Sequence, residues 1–220
     1  MRIAAGLALV FDLDGVIVDS MPLHTAAWKR YLERLGITSD DIERQMHGRR
    51  NDEIVRALIG PNLPADDVFE HGAGKERLFR EMLSPQLERL IVPGIREFLA
   101  ATNGTPRAVA TNAEPANVDF VLDSAGLRRF FAITVDGHQV SRPKPWPDIY
   151  LRAADLLHTA PKNCIIFEDS PTGIAAARAA GGRVVGLATH TTDLPGVDVL
   201  VRDFRDPLLP QWLERQQAGS

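Results

Sequence analysis

An apolar run over residues 7–11 (Leu-Ala-Leu-Val-Phe) ends abruptly in two carboxylates one residue apart, Asp12 and Asp14, followed by Gly15. Such a run reads as a buried strand, and in an open α/β sheet ligands bind at the carboxyl ends of strands. Two acids placed there repel each other and lose hydration unless a cation or a proton is shared between them. Side chains two apart on a strand share a face. Asp12 and Asp14 therefore lean into one crevice while Leu13 turns to the core. Gly15 permits the tight backbone by which the chain leaves the sheet. One carboxylate can act as nucleophile and metal ligand, the other as general acid and base. The same residues also suit a solvated turn.

Three further segments end in comparable chemistry. Residues 107–113 read as a second apolar strand finishing in Thr111, Asn112 and Ala113. There a hydroxyl, an amide and neighbouring N–H groups can cradle an anionic oxygen, while Asn112 also suits the N-cap of a helix over 115–124. Lys144 is boxed between Pro143 and Pro145. Prolines stiffen the backbone, so its ammonium is aimed at low entropic cost at a phosphate or a crowded carboxylate. A third strand, 164–168, ends in Glu168 and Asp169, followed by Ser170-Pro171, which reads as a helix cap and first turn. Capping does not account for the two acids. With the backbone carbonyl of Asp14, the acids Asp12, Asp14, Glu168 and Asp169 suggest a hard cation such as Mg²⁺ held by oxygen ligands. The single cysteine, Cys164, lies within a strand, which argues against a thiolate zinc site.

These stations, in this order, resemble the haloacid dehalogenase superfamily of phosphohydrolases. The resemblance implies that Asp12 attacks phosphorus to form an aspartyl-phosphate and that Asp14 protonates the leaving group and then activates water. It implies further that Thr111 and Lys144 hold the phosphoryl group and that the late acids hold Mg²⁺, with Glu168 acting as an outer or water-bridged partner. An acid at position 14 argues against the dehalogenase branch. The phosphonate-cleaving branch has a lysine near the start of its inserted domain, where this chain has His24 and Trp28.

The chain has 220 residues, 45% of them hydrophobic, enough for one sizeable core and a small accessory domain. Its net charge of −4 gives no basic footprint for nucleic acid. No apolar run approaches a membrane span. The N-terminal apolar stretch is interrupted by Asp12 and Asp14 and reads as a strand, not a signal peptide. One cysteine means no internal disulfide, consistent with a cytoplasmic protein, as monomer or dimer. Strands near 7–12, 107–111, 132–135, 164–168 and 183–187, with a short one at 197–201, alternate with helical patterns. That alternation predicts an α/β fold with a Rossmann-like parallel sheet covered on both faces. Between Gly15 and Pro93 only helical patterns occur, near 21–36, 39–47, 51–60 and 65–83. This looks like the helical cap of the superfamily, which closes over the site and excludes water. The expected division is 1–16 with 93–220 as the core domain and 17–92 as the cap, with hinges near 16–20 and 87–93.

Within the capped branch the first motif, His24 and Trp28 look like the β-phosphoglucomutase-like subfamily. His24 is then a candidate for proton transfer or for tying down Asp14, and equally a helix-face histidine. Trp28 suits the core of the inserted domain better than a substrate platform. The stretch Gly48, Arg49, Arg50, Asn51 is the loop expected to meet substrate. Arginine there suits a second phosphate or an array of hydroxyls. The alternative is a basic turn with Asn51 as N-cap. The chain departs from the mutase here, because aligning on Gly48 places Asn51 where the mutase has its phosphate-binding arginine. Lys75 aligns with a mutase cap lysine. These departures favour a Mg²⁺-dependent phosphatase of a small phosphorylated metabolite, a sugar phosphate above all. The rivals are a β-phosphoglucomutase-like phosphotransferase and, of another class, a non-catalytic binding module.

Overall fold

The computed structural model describes residues 3–38, 42 and 50–217. Six strands form one sheet: β1 (Ala8–Phe11), β2 (Arg107–Ala110), β3 (Ile133–Val135), β4 (Cys164–Glu168), β5 (Arg183–Leu187) and β6 (Val199–Val201). Their order is β3-β2-β1-β4-β5-β6, and every adjacent pair is parallel. The chain winds outward from β1 through β2 to β3, then crosses back to place β4 on the other side of β1. The β1/β4 boundary is therefore the point where the winding reverses, and a crevice opens at the carboxyl ends of such a pair.

The two-residue period of the strands builds two cores. On one face Ala8, Val10, Ala108, Ala110, Cys164, Ile166 and Val184 pack with Ile149, Tyr150, Ala153, Ile174 and Ala177. The latter come from the helices α7 (Asp148–Leu156) and α8 (Pro171–Ala179). On the other face lies an aromatic nucleus. The rings of Phe11 and Phe167 stack at 4.6 Å, and Phe98 and Phe204 pack around both. Phe98 belongs to α5 (Ile95–Ala101). The sheet-bearing unit also contains α6 (Pro115–Ser124) and α9 (Leu208–Gln217). Both α6 and α8 begin with proline, whose missing N–H costs nothing at a helix start.

The chain divides into two compact units, 1–19 with 88–220, and 20–87. Residues 17–19 and 88–92, placed in the inserted domain by the sequence, pair with each other inside the sheet-bearing unit. Val18 bridges Ile91, the N–H of Val92 donates to the Ile17 carbonyl, and that of Asp19 to Leu90. The second unit is helical: α1 (Met21–Arg34), α2 (Asn51–Leu58) and α3 (Ala65–Leu83), followed by a short turn and α4 (Leu87–Leu90), which crosses the boundary. The helix expected at 39–47 falls, but for residue 42, outside the described residues. No described helix is long and apolar enough to cross a membrane.

Phe98 is buried, and its ring packs against the rings of Phe11, Phe167 and Phe204. Phe98→Ala should lower unfolding stability by about 3–5 kcal/mol. Urea unfolding at unchanged m-value measures this.

Candidate active site

The register of β1 on β4 assembles the site. Phe11 pairs with Phe167, and the ladder continues one step as the N–H of Asp12 donates to the Phe167 carbonyl at 3.0 Å. Asp12 and Glu168 thus follow two stacked phenylalanines on neighbouring strands. By the strand period both project to the face covered by α7 and α8. Between them sits Lys144, its Nζ 2.6 Å from Asp12 Oδ1 and 2.7 Å from Glu168 Oε1. Lys144 is 7% exposed and Glu168 0%.

Glu168 is held from every side. Oε1 accepts from Lys144 and from the Tyr150 hydroxyl at 2.7 Å, and Oε2 accepts from the N–H groups of Asp169 and Ser170 and the Ser170 hydroxyl. Ser170 Oγ also accepts the N–H of Gly173, the helix cap read from the sequence. A Cβ on Gly173 would lie 1.7 Å from Glu168 Oε1, so only glycine leaves room for this carboxylate under α8. On the other side, Gly15 (φ +79°) would place a Cβ 1.8 Å from Asp169 Oδ2. Its missing side chain lets that carboxylate approach the Asp12–Gly15 turn.

The electrostatics show an excess of negative charge. Burial pushes Asp12 up to about 7; Lys144 opposes the shift, and Glu168 and Asp14 add to it. Burial, then Glu168, Asp12 and Asp14, push Asp169 up to about 9. For Glu168, burial is outweighed by the Lys144 ammonium and the donors around it, which hold its carboxyl below the usual range. Lys144 stays protonated because Asp12 and Glu168 outweigh the cost of its burial. Lys144 pairs with Asp12 and Glu168, and carboxylate oxygens of Asp12, Glu168 and Asp169 lie within 4.8 Å of one another. A hard divalent cation fits this all-oxygen, under-neutralised set. With Glu168 already engaged by five donors, Asp12 and Asp169 are the carboxylates with capacity for direct ligation.

The β2 end contributes differently. Thr111 Oγ1 accepts the Ala113 N–H at 3.1 Å, forming a small turn and leaving its O–H to donate. Asn112 is not the N-cap of α6, a place taken by Glu114, whose side chain makes no capping bond. Its Oδ1 accepts the Lys144 N–H at 3.3 Å, so the amide anchors the loop that presents the lysine.

In the helical unit, Lys75 Nζ lies 2.8 Å from His24 Nδ1 and 2.9 Å from Glu76 Oε1, and Asn51 Nδ2 donates to the same oxygen at 2.6 Å. His24 stacks on Phe79 at 3.7 Å. Burial would raise the carboxyl of Glu76, but Lys75, His24 and Asn51 hold it down to about 2. Asn51 is the first residue of α2 and not its cap. That place belongs to Arg50, which is exposed near Asp52 and whose N–H donates to Glu53. Trp28 is fully buried among Leu32, Ile54, Val55 and Val68, a core side chain of this unit. Gly48 and Arg49 lie outside the described residues.

Sequence reasoning missed Tyr150 and Glu76. Tyr150 occupies an apolar helix face where any aromatic would fill space, and only its hydroxyl sets it apart. Glu76 follows Lys75 directly, a spacing that on a helix gives no hint of contact.

A family model of haloacid dehalogenase-like hydrolases matches residues 7–181. The chain is 34% identical to fructose-1-phosphate phosphatase YqaB of Escherichia coli over 79% of this chain and 92% of that protein. It is 32% identical to the β-phosphoglucomutase of Mycobacterium bovis over 91% of each. The crystal structure of a family IA, variant 3 hydrolase from Entamoeba histolytica superposes with a TM-score of 0.81 at 26% identity, covering 90% of this chain and 93% of that one.

The unfolded carboxyls titrate near 4, whereas folded Asp12 and Asp169 keep their protons to about 7 and about 9. The native state therefore binds more protons across that window, and these two groups make the cation-free protein less stable as pH rises from about 4 to 9. Mg²⁺ favours the ionised cluster, so the rise in Tm on adding it should grow with pH over about 6 to 9, and Asp169→Asn should remove most of it. Scanning calorimetry with Mg²⁺ or EDTA checks this. A rise independent of pH would contradict the electrostatics.

Proposed function

The chain belongs to the haloacid dehalogenase-like hydrolases, and from that premise we propose that it is a Mg²⁺-dependent phosphatase of a small phosphorylated metabolite, with a sugar phosphate as the substrate class. The observation that carries the reading is Asp12, a buried carboxylate aimed by a 2.6 Å ion pair with Lys144 at the mouth of the β1/β4 crevice.

On this reading Asp12 attacks phosphorus in line with the leaving oxygen. A covalent aspartyl-phosphate splits one difficult displacement into two easier ones. Lys144 and the Thr111 hydroxyl, with the N–H groups that follow it, hold the equatorial phosphoryl oxygens as charge develops on them. Asp14, which is less buried than Asp12, gives a proton to the leaving group and takes one from the water that cleaves the intermediate. Asp12 and Asp169 would hold Mg²⁺ together with the Asp14 carbonyl, while Glu168 would fix Lys144 and act as an outer partner. When bound, the ion neutralises phosphoryl charge.

Substrate selection beyond the phosphate falls to side chains such as His24, Arg50, Asn51 and Lys75. The ammonium of Lys75 is neutralised by Glu76, and Asn51 is a neutral amide bonded to that same acid. This set favours sugar hydroxyls over a second phosphate, and with it a phosphatase over a mutase. The similarity to β-phosphoglucomutase over nine-tenths of the chain supports the second reading, an intramolecular phosphotransferase using the same residues.

A panel of sugar phosphates and other phosphoesters should show phosphate release that needs Mg²⁺. Asp12→Asn should lower the rate at least about 10³-fold with the circular dichroism spectrum unchanged. Phosphate release persisting in that variant would sink the nucleophile assignment. Conversion of β-glucose 1-phosphate to glucose 6-phosphate, primed by glucose 1,6-bisphosphate with little phosphate released, would decide for the mutase.

A further inference from the structure

We propose that Tyr150 is a positioning residue: its hydroxyl orients Glu168 so that Lys144 points at Asp12. The inference rests on the phosphatase reading above for its kinetic consequence, though not for its geometry. Tyr150 lies in the first turn of α7, six residues after Lys144, and is 1% exposed. Its O–H donates to Glu168 Oε1 at 2.7 Å, the same oxygen that Lys144 Nζ approaches at 2.7 Å, and the ammonium sits 4.8 Å from the centre of the tyrosine ring. One aromatic side chain thus touches the ion pair twice, by hydroxyl on the anion and by ring face on the cation.

The role of the hydroxyl follows from which oxygen it takes. Glu168 Oε2 is pinned by two backbone N–H groups and the Ser170 hydroxyl, which point from the turn leading into α8. Among the described residues, Oε1 accepts from Lys144 and Tyr150. Without the hydroxyl, Oε1 would be held by the lysine alone, and the lysine in turn by Oε1 and Asp12. Burial of a carboxylate and an ammonium is tolerable only with good geometry and the remaining lone pairs satisfied. Tyr150 supplies that third point, so that Lys144 is held rigidly between Asp12 and Glu168. In the reaction the same rigidity keeps the ammonium beside the attacking oxygen, where a small displacement is costly.

The test is Tyr150→Phe, which keeps the ring, its packing and its face toward Lys144 and removes one oxygen. Two readouts are taken. In steady-state kinetics kcat should fall about tenfold while KM stays within about twofold, and Tyr150→Phe should match wild type in secondary structure. In ¹⁵N-detected NMR, the Lys144 ammonium of the wild-type chain should give a sharp, slowly exchanging signal that is assigned by its loss in Lys144→Met. That signal should broaden or vanish in Tyr150→Phe. On the unaltered chain, the Tyr150 hydroxyl proton should be protected from solvent exchange and show a nuclear Overhauser contact to the ammonium. An unchanged ammonium signal in Tyr150→Phe, with or without a kinetic loss, would overturn the proposal, as would a freely exchanging hydroxyl. If no phosphoester is turned over by the wild-type chain, the functional reading fails, yet the NMR readout still decides the role of Tyr150.

Discussion

The site depends on a single buried cation, Lys144, between Asp12 and Glu168. Asp12, Asp14, Glu168 and Asp169 converge at the carboxyl ends of β1 and β4, and an uncompensated cluster of this kind would repel itself apart or take up protons. Lys144 settles which acids stay ionised. Glu168, with the lysine and four other donors, is held as a carboxylate. Asp12 is shared between one lysine and two competing acids. At Asp169, burial and the neighbouring acids outweigh the lysine, so that it has a large unmet demand for positive charge. That contrast gives Glu168, Asp12 and Asp169 their proposed parts: anchor, nucleophile and cation ligand.

The rest of the fold serves to hold this arrangement without strain. The stacked pair Phe11 and Phe167 locks the register of β1 on β4 one residue below the two acids. The alternating strand pattern then sends Asp12 and Glu168 to the same side. Two glycines make the close approaches possible, Gly15 beneath Asp169 and Gly173 above Glu168. On the lysine's side the Asn112 amide takes the Lys144 N–H, so the β2 end braces the loop that the prolines stiffen. The site is therefore built from three strand ends and two helix starts, each placed by ordinary hydrophobic burial.

Much of this was legible in the residues. Each strand lies within about two residues of its expected place, because buried parallel strands in this chain are short β-rich runs bounded by acids, glycine or proline. Asp12, Glu168 and Asp169 stand out since charged groups at the ends of apolar runs need a reason, and Lys144 because Pro143 and Pro145 flank it. What could not be read was which partner each would meet. Asn112 has the composition of a helix cap, yet its amide bonds a lysine 32 residues away. Asn51 likewise looks like a cap and instead meets Glu76 across the helical unit. Tyr150 is invisible as more than a core aromatic until α7 is laid on the sheet. Local pattern predicts elements; long-range pairing decides roles.

The most direct test of the central claim, that Asp12 is the attacking group, is a rapid-quench single turnover with substrate labelled at phosphorus and enzyme in excess. The account predicts an acid-stable, base-labile phosphoprotein that forms before inorganic phosphate, decays as phosphate appears, and maps on proteolysis to the peptide containing Asp12. Phosphate release with no phosphoprotein at any time, or label on a residue other than Asp12, would contradict it.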